Sequence, residues 1–150
     1  MKNKLTSRLL ASAITAAALV GGASGVSHAA DGTSCSDWKK IISSGIWART
    51  CIQWSGTSSD RAYVEIENDT GSSRKVRATA TLATPDSDML TRKIESKWIA
   101  NGATYKLYTN WVGDYTWGAE KALGGIRIYD SLGYFEGSHI VIGWAYEPAF

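Results

Sequence analysis

The sequence predicts an all-β fold: an antiparallel β-sandwich, loosely immunoglobulin-like, with seven to nine short strands and a short N-terminal helix. Hydrophobic and polar side chains alternate over most of residues 46–146, as strands with one buried face require. Turn-forming Gly, Ser, Asn and Asp recur every eight to twelve residues. No linker or repeat divides residues 30–150, so we expect a single domain there, with a partly open barrel as the alternative architecture.

The first 29 residues are typical of a cleaved secretory signal peptide. Lys2, Lys4 and Arg8 precede an apolar stretch over residues 9–20, and small residues follow up to Ala29 and Ala30, after either of which cleavage is expected. The apolar stretch is shorter than the roughly 20 residues that span a bilayer. We therefore expect a secreted, extracellular protein with no membrane attachment in its mature form.

The charge of the mature chain argues against nucleic acid as a partner. The formal net charge is +2, but removing the three basic residues of the leader leaves 13 basic and 14 acidic side chains. Proteins that bind nucleic acid need an excess of Lys and Arg to displace counterions from phosphates. A balanced chain does not provide that excess.

Cys35 and Cys51 are the two cysteines, and in an exported protein an even pair predicts a disulfide bond. Between them, Trp38, Ile41 and Ile42 have helical spacing, with Ser36 placed to cap the segment and Gly45 placed to end it. This spacing predicts a short helix within residues 36–45.

Strands are expected at residues 46–54, 61–68, 74–82, 88–99, 104–110, 125–130 and 138–146. Residues 61–68 and 74–82 are expected to form a hairpin around the loop 69–73. Its register places Glu67 opposite Lys75 and Glu65 opposite Arg77, with the apolar residues together on the other face.

The last predicted strand is expected to place four large side chains on one face. These are Ile140, Ile142, Trp144 and Tyr146. In the first predicted strand, Trp47 and Trp54 are seven positions apart, so in a regular strand they point to opposite faces and at most one of them faces the core.

Catalytic and metal-binding patterns are weak. His139 follows Ser138 on a predicted strand, where adjacent side chains point to opposite faces and form no nucleophile and base pair. Two carboxyl groups catalyse glycoside hydrolysis only at a suitable distance from each other. The sequence does not give that distance for acid pairs such as Asp114 with Glu120, or Glu136 with Glu147. We expect a protein that is not an enzyme and uses no cofactor or metal.

Aromatic side chains are the unusual feature. All seven Trp and all seven Tyr lie beyond the leader, and five fall within residues 105–117, around a polar loop. Rings in exposed loops stack on sugars or anchor protein interfaces, although burial in the core is the competing interpretation. The candidate ligand-binding residues are Tyr108, Trp111, Asp114, Tyr115 and Trp117.

These observations favour a binding protein for an extracellular saccharide or protein. An inhibitor of an extracellular hydrolase, such as an amylase or protease, is the alternative, because a rigid disulfide-bonded sandwich loses little entropy on binding. A secreted antibacterial protein is a further alternative.

The Ser34-Cys35 to Cys51 spacing, the run Trp47-Ala48-Arg49 and the expected hairpin over residues 63–76 resemble the first half of the secreted proteinaceous α-amylase inhibitors. The resemblance implies a disulfide-bonded β-sandwich that binds through an aromatic-Arg-aromatic turn. This chain lacks the second disulfide of that family, and it has Ala48-Arg49 where a Trp-Arg-Tyr run is expected.

Overall fold

Two antiparallel sheets pack face to face, as the sequence predicts. A computed structural model describes residues 31–42, 45–56, 59–113, 120–136 and 140–146. Three of its strands have four residues or fewer, which is why the described residues contain ten strands and not seven to nine. The strands are β1 (Gly32–Cys35), β2 (Lys39–Ile42), β3 (Ile46–Ser55), β4 (Ser59–Asn68), β5 (Arg74–Ala83), β6 (Met89–Ile99), β7 (Ala103–Tyr108), β8 (Val112–Gly113), β9 (Lys121–Tyr129) and β10 (Ile140–Tyr146).

One sheet, sheet A, has the order β1-β3-β4-β7, with β2 also paired to β3 and β8 also paired to β4. The other, sheet B, has the order β10-β9-β5-β6. The core lies between them and is built from the alternating apolar positions that the sequence indicates, including Ile46, Ile52, Ile66, Leu82, Ile126 and Ile128. Among the residues that the structure describes, no helix is long and apolar enough to cross a bilayer.

The predicted N-terminal helix is wrong, because residues 39–42 form strand β2 and pair with β3. The predicted Cys35–Cys51 disulfide is present and joins β1 to β3. Residues 39–42 pair with β3 beyond β1, where extended backbone gains hydrogen-bond partners, whereas a helix this short gains too few internal hydrogen bonds to offset nucleation. Ile41 still buries its side chain in the core.

The predicted hairpin of residues 61–68 and 74–82 is also wrong. Strand β4 lies in sheet A and β5 in sheet B, so the expected pairs Glu67–Lys75 and Glu65–Arg77 do not form. The connection is an arch from one sheet to the other. An arch lets the apolar faces of β4 and β5 pack against each other across the core, which satisfies the same alternation as a hairpin.

The arch is fixed by the side chain of Asn68, which is fully buried. Its Nδ2 donates to the carbonyl oxygens of Ser72 at 2.9 Å and Ile99 at 2.8 Å. Its Oδ1 accepts hydrogen bonds from the backbone N and Oγ1 of Thr70. One amide therefore holds the arch and ties it to the end of β6.

The single face predicted for the last strand is interrupted by a bulge. The register of β10 against β9 shifts between Val141 and Gly143, and Gly143 has a φ of 153°. Ile142 and Ala145 point into the core, while Trp144 and Tyr146 are 37% and 56% exposed on the outside. An extra residue in a strand makes every later side chain point to the opposite face, and the alternation of apolar and polar residues in the sequence does not show where such a bulge lies. The side chain of Ile140 lies outside the described part.

Candidate functional site

The outer face of sheet A carries rows of aromatic and charged side chains. Strands β3, β4 and β7 are neighbours, and their registers align residues across the sheet. One row contains Arg49, Glu65 and Lys106, and the next contains Cys51, Tyr63 and Tyr108. A third row places Gln53 beside Arg61.

Arg61 joins the two predicted site residues that the structure describes. Its guanidinium carbon lies 4.2 Å from the ring centroid of Tyr108 and 4.4 Å from that of Trp111. Its Nε and Nη2 donate to Oε1 of Gln53 at 3.0 and 2.8 Å. The ring of Tyr63 lies 4.9 Å from that of Tyr108. We call Arg61, Tyr63, Tyr108 and Trp111 the platform.

The platform combines order with exposure. Cation-π contacts on both rings and a two-pronged hydrogen bond hold the guanidinium in place, so the rings are ordered before any partner arrives. Trp111 is nevertheless 42% exposed. An ordered and exposed indole is available to another molecule at a low entropic cost.

A buried carboxylate lies beside the platform. Glu65 is only 6% exposed although it belongs to the outer face. Its Oε2 accepts hydrogen bonds from Nε and Nη2 of Arg49 at 2.8 and 2.7 Å, and its Oε1 lies 3.1 Å from Nζ of Lys106. Burial raises the pKa of Glu65, but the hydrogen bonds and charges of the two cations outweigh burial and leave the pKa below its usual value.

The ion pair also changes the neighbouring groups. The hydrogen bond to Glu65 is the main reason that the pKa of Lys106 is raised. Burial raises the pKa of the Tyr63 hydroxyl, over whose ring Nζ of Lys106 lies at 5.5 Å. The lowered pKa of Glu65 and the raised pKa of Lys106 both favour the charged forms, so this ion pair is a fixed support for the platform.

Two more cation-π pairs extend the outer face toward β2. The guanidinium of Arg49 lies 4.6 Å from the ring of Trp38, and Nζ of Lys40 lies 5.4 Å from the ring of Trp47. Trp54, which points to the opposite face from Trp47, is 8% exposed and belongs to the core. One of the two indoles therefore faces the core, as their spacing allows. Trp47 and Arg49 lie within strand β3 and not at a turn, so the binding turn that the amylase-inhibitor resemblance implies is not formed by these residues.

Three of the five predicted ligand-binding residues, Asp114, Tyr115 and Trp117, lie outside the described residues, as does His139. Tyr105, in the same aromatic run, packs against the core, where burial and a hydrogen bond to Glu95 raise its pKa to about 12. The run is therefore divided between the interior and the surface.

Sequence reasoning missed Arg61, Gln53 and Trp38. The available signal was that Arg61 and Tyr63, two positions apart, point to the same face of one strand. The residues that contact Arg61 come from β3, from β7 and from the segment after β7. Only the sheet order brings these segments together.

The described residues contain no group of three or more His, Cys, Asp and Glu side chains arranged to hold a metal ion. Of the predicted acid pairs, Glu136 forms an ion pair with Nε of Arg74 at 3.0 Å, and Glu120 is fully buried. Their proposed partners, Glu147 and Asp114, lie outside the described residues.

No protein-family model matches the chain, and no curated protein matches it. Among solved structures, it is similar to a protein described as ApaA from Bordetella pertussis, with 8% identity over 78% of this chain and 93% of that one, at a TM-score of 0.41. It is also similar to β-glucuronidase from Bacteroides uniformis, with 15% identity and a TM-score of 0.37. That match covers 73% of this chain but only 12% of the glucuronidase. Similarity at this level supports no inference about function.

Proposed function

We propose that this chain is a secreted, non-enzymatic binding protein that holds a partner protein through the platform on sheet A. The observation that carries the proposal is the exposed indole of Trp111 fixed against the guanidinium of Arg61. Trp, Tyr and Arg are the residues most enriched among those that dominate protein interfaces. Their prior ordering reduces the entropy lost on association.

The contacts favour a protein partner over a saccharide at this surface. A sugar ring stacks on an open aromatic face. In the platform, Arg61 occupies one face of Tyr108 and one face of Trp111, and Tyr63 also lies against Tyr108. The surface left for a partner is a mixture of ring edges, guanidinium and indole, which suits the varied groups of a protein.

Export is part of this proposal. The leader over residues 1–29 and the disulfide of Cys35 with Cys51 support it, because disulfides persist in oxidising compartments. Measuring the mass of the protein recovered from the culture medium tests it. The expected mass is that of a chain beginning at Ala30 or Asp31, and an intact leader would contradict the proposal.

Affinity capture with point variants tests the platform. The immobilised protein is exposed to extracellular proteins of the producing organism, and retained proteins are identified by mass spectrometry. We expect one retained protein to be lost with Trp111→Ala and with Arg61→Ala, but kept with Trp98→Ala, which removes an indole of similar exposure, 49%, from sheet B. Retention that does not change in the first two variants would refute the platform as the binding surface. A glycan array that retains the wild type but not Trp111→Ala would replace the protein partner by a saccharide.

A second candidate function, inhibition of an extracellular hydrolase, is favoured by the turn between Asp130 and Glu136. Oδ1 of Asp130 accepts hydrogen bonds from the backbone N of Leu132 at 2.9 Å and of Tyr134 at 2.8 Å. These bonds order a protruding turn in which Leu132 and Tyr134 are 80% and 71% exposed. A preordered apolar turn suits insertion into an active-site cleft.

A panel of amylases and proteases tests this second candidate. Inhibition is expected to fall with Leu132→Ala, which removes a contact, and with Asp130→Ala, which removes the ordering. Trp111→Ala serves as the control that leaves the turn unchanged. If no enzyme in the panel is inhibited by the wild type, the inhibitor function is rejected.

A further inference from the structure

The outer face of sheet B, the opposite side of the molecule from the platform, contains a groove of about 310 Å³. Gly125, which has no side chain, lies beside Thr79 and forms its floor. Arg77 and Arg127 lie at one end, and Arg92 lies at the other. Ile94 and Leu123 flank the floor.

The three arginines of this groove have no ion pair or side-chain hydrogen bond within the described residues. The other three arginines described are all paired: Arg49 with Glu65, Arg61 with Gln53 and Arg74 with Glu136. Partnerless arginines are therefore confined to one surface.

Arg77 and Arg127 are direct cross-strand neighbours on β5 and β9. Like charges placed opposite each other destabilise a sheet, so this pair costs stability when nothing lies between the two guanidinium groups. An anion bound between them removes the repulsion and gains charge-assisted hydrogen bonds from both.

Acidic side chains do not offset this charge on the described part of the face. The outward positions of β5, β6 and β9 nearest the groove carry Lys75, Arg77, Arg92 and Arg127, together with hydroxyl, apolar and glycine residues. The mature chain is almost neutral overall, but these four basic side chains share one face with no acidic side chain at the outward positions beside them.

We propose that this groove binds an acidic polysaccharide, one whose sugars carry carboxylate, sulfate or phosphate groups. The arginines bind the acid groups, and the hydroxyls of Thr79 and Thr81 lie where they can exchange hydrogen bonds with sugar hydroxyls.

An exposed indole lies beside one end of the groove. Trp98, on β6, is paired with Lys75 and is 49% exposed. Trp144, on β10, is also exposed, but Nζ of Lys121 lies 4.8 Å from the centre of its ring. Trp98 is therefore the ring on which a sugar can stack while its acid groups reach Arg77 and Arg127.

Two other polyanions fit less well. An acidic peptide bound by strand addition needs an open strand edge, whereas this groove lies on the face of a sheet whose central strands are already paired. Nucleic acid requires a larger excess of positive charge than the mature chain has.

Binding measurements with defined polymers test the proposal. The purified disulfide-bonded protein is titrated with dextran sulfate, alginate, neutral dextran, poly-glutamate and single-stranded DNA at two salt concentrations. We expect binding to at least one acidic polysaccharide, weakened by salt, and no binding to neutral dextran.

The charge-neutralising pair Arg77→Gln with Arg127→Gln is expected to weaken that binding at least about tenfold. Its control is Lys93→Gln with Lys97→Gln, which removes the same charge from the other face of β6 and is expected to leave affinity within about twofold. Trp98→Ala is expected to weaken polysaccharide binding without changing its salt dependence, because it removes a ring and not a charge. The binding of inorganic sulfate is expected to depend on the arginine pair and not on Trp98.

Several results would overturn the proposal. These are no binding to any acidic polysaccharide, equal losses in the arginine and lysine pairs, or tighter binding of poly-glutamate or DNA than of every acidic polysaccharide. Since Trp111→Ala leaves this groove intact, a failed platform and a failed groove are distinguished by which variants lose which ligand.

Discussion

Replacing Glu65 by Gln removes the charge at the centre of the outer face of sheet A while preserving size and shape. Glu65 accepts contacts from two cations, but the side chains of Arg49 and Lys106 are 30% and 41% exposed, so water compensates part of the loss. We therefore assign about 1 kcal/mol to each cation, below the 1.5–3 kcal/mol typical of hydrogen bonds to charged groups. The expected loss is about 2 kcal/mol of unfolding free energy, or about 8 °C in melting temperature for a domain of this size.

Thermal and denaturant unfolding followed by circular dichroism measures this loss. The control is Glu67→Gln, on the same strand and the same face, where no described ion pair is removed and a change within about 0.5 kcal/mol is expected. The folded pKa of Glu65 lies below its unfolded value, so the ionised carboxylate contributes stability above the unfolded pKa and loses it as pH falls through the folded pKa. The difference between wild type and Glu65→Gln should therefore shrink below about pH 4.5. Equal effects of the two substitutions, or a difference that is unchanged at acid pH, would refute the assignment.

The remaining predictions concern stability. Cys35→Ser with Cys51→Ser should cost about 3 kcal/mol, because the bond closes a loop of 16 residues in the unfolded chain, and an unchanged urea midpoint would contradict this. Thr50→Val should raise stability by about 1 kcal/mol, since Oγ1 of Thr50 is buried without a hydrogen-bond partner in the described residues. Thr109→Val should lower stability, because Oγ1 of Thr109 accepts a hydrogen bond from the backbone N of Ala62 and donates one to the carbonyl oxygen of Asn110. Calorimetry that gives both threonine variants the same sign would disprove the distinction. Asn68→Ala should cost about 3 kcal/mol by leaving buried carbonyl groups unpaired, and guanidinium unfolding should show a cost well above that of an exposed asparagine.

The periodicity of the chain predicted the β-sandwich and the buried faces of β4, β5 and β9, and the even cysteine pair of an exported chain predicted the disulfide of Cys35 with Cys51. Alternation of apolar side chains and the redox state expected for an exported pair are local properties, so they can be read from neighbouring residues. The same local signals indicated that some of the aromatic run reaches the surface, as Trp111 does.

Which strand lies beside which was decided by the tertiary structure. Residues 39–42 are a strand because they pair with β3, and residues 61–68 and 74–82 form an arch because their apolar faces pack across the core. The bulge before Gly143 turned Trp144 outward. Both candidate surfaces depend on these pairings. The stacking of Arg61 between Tyr108 and Trp111, and the meeting of Arg77 with Arg127, join residues between 47 and 50 positions apart in the chain, and a pattern that repeats every two residues contains no information about contacts at that distance.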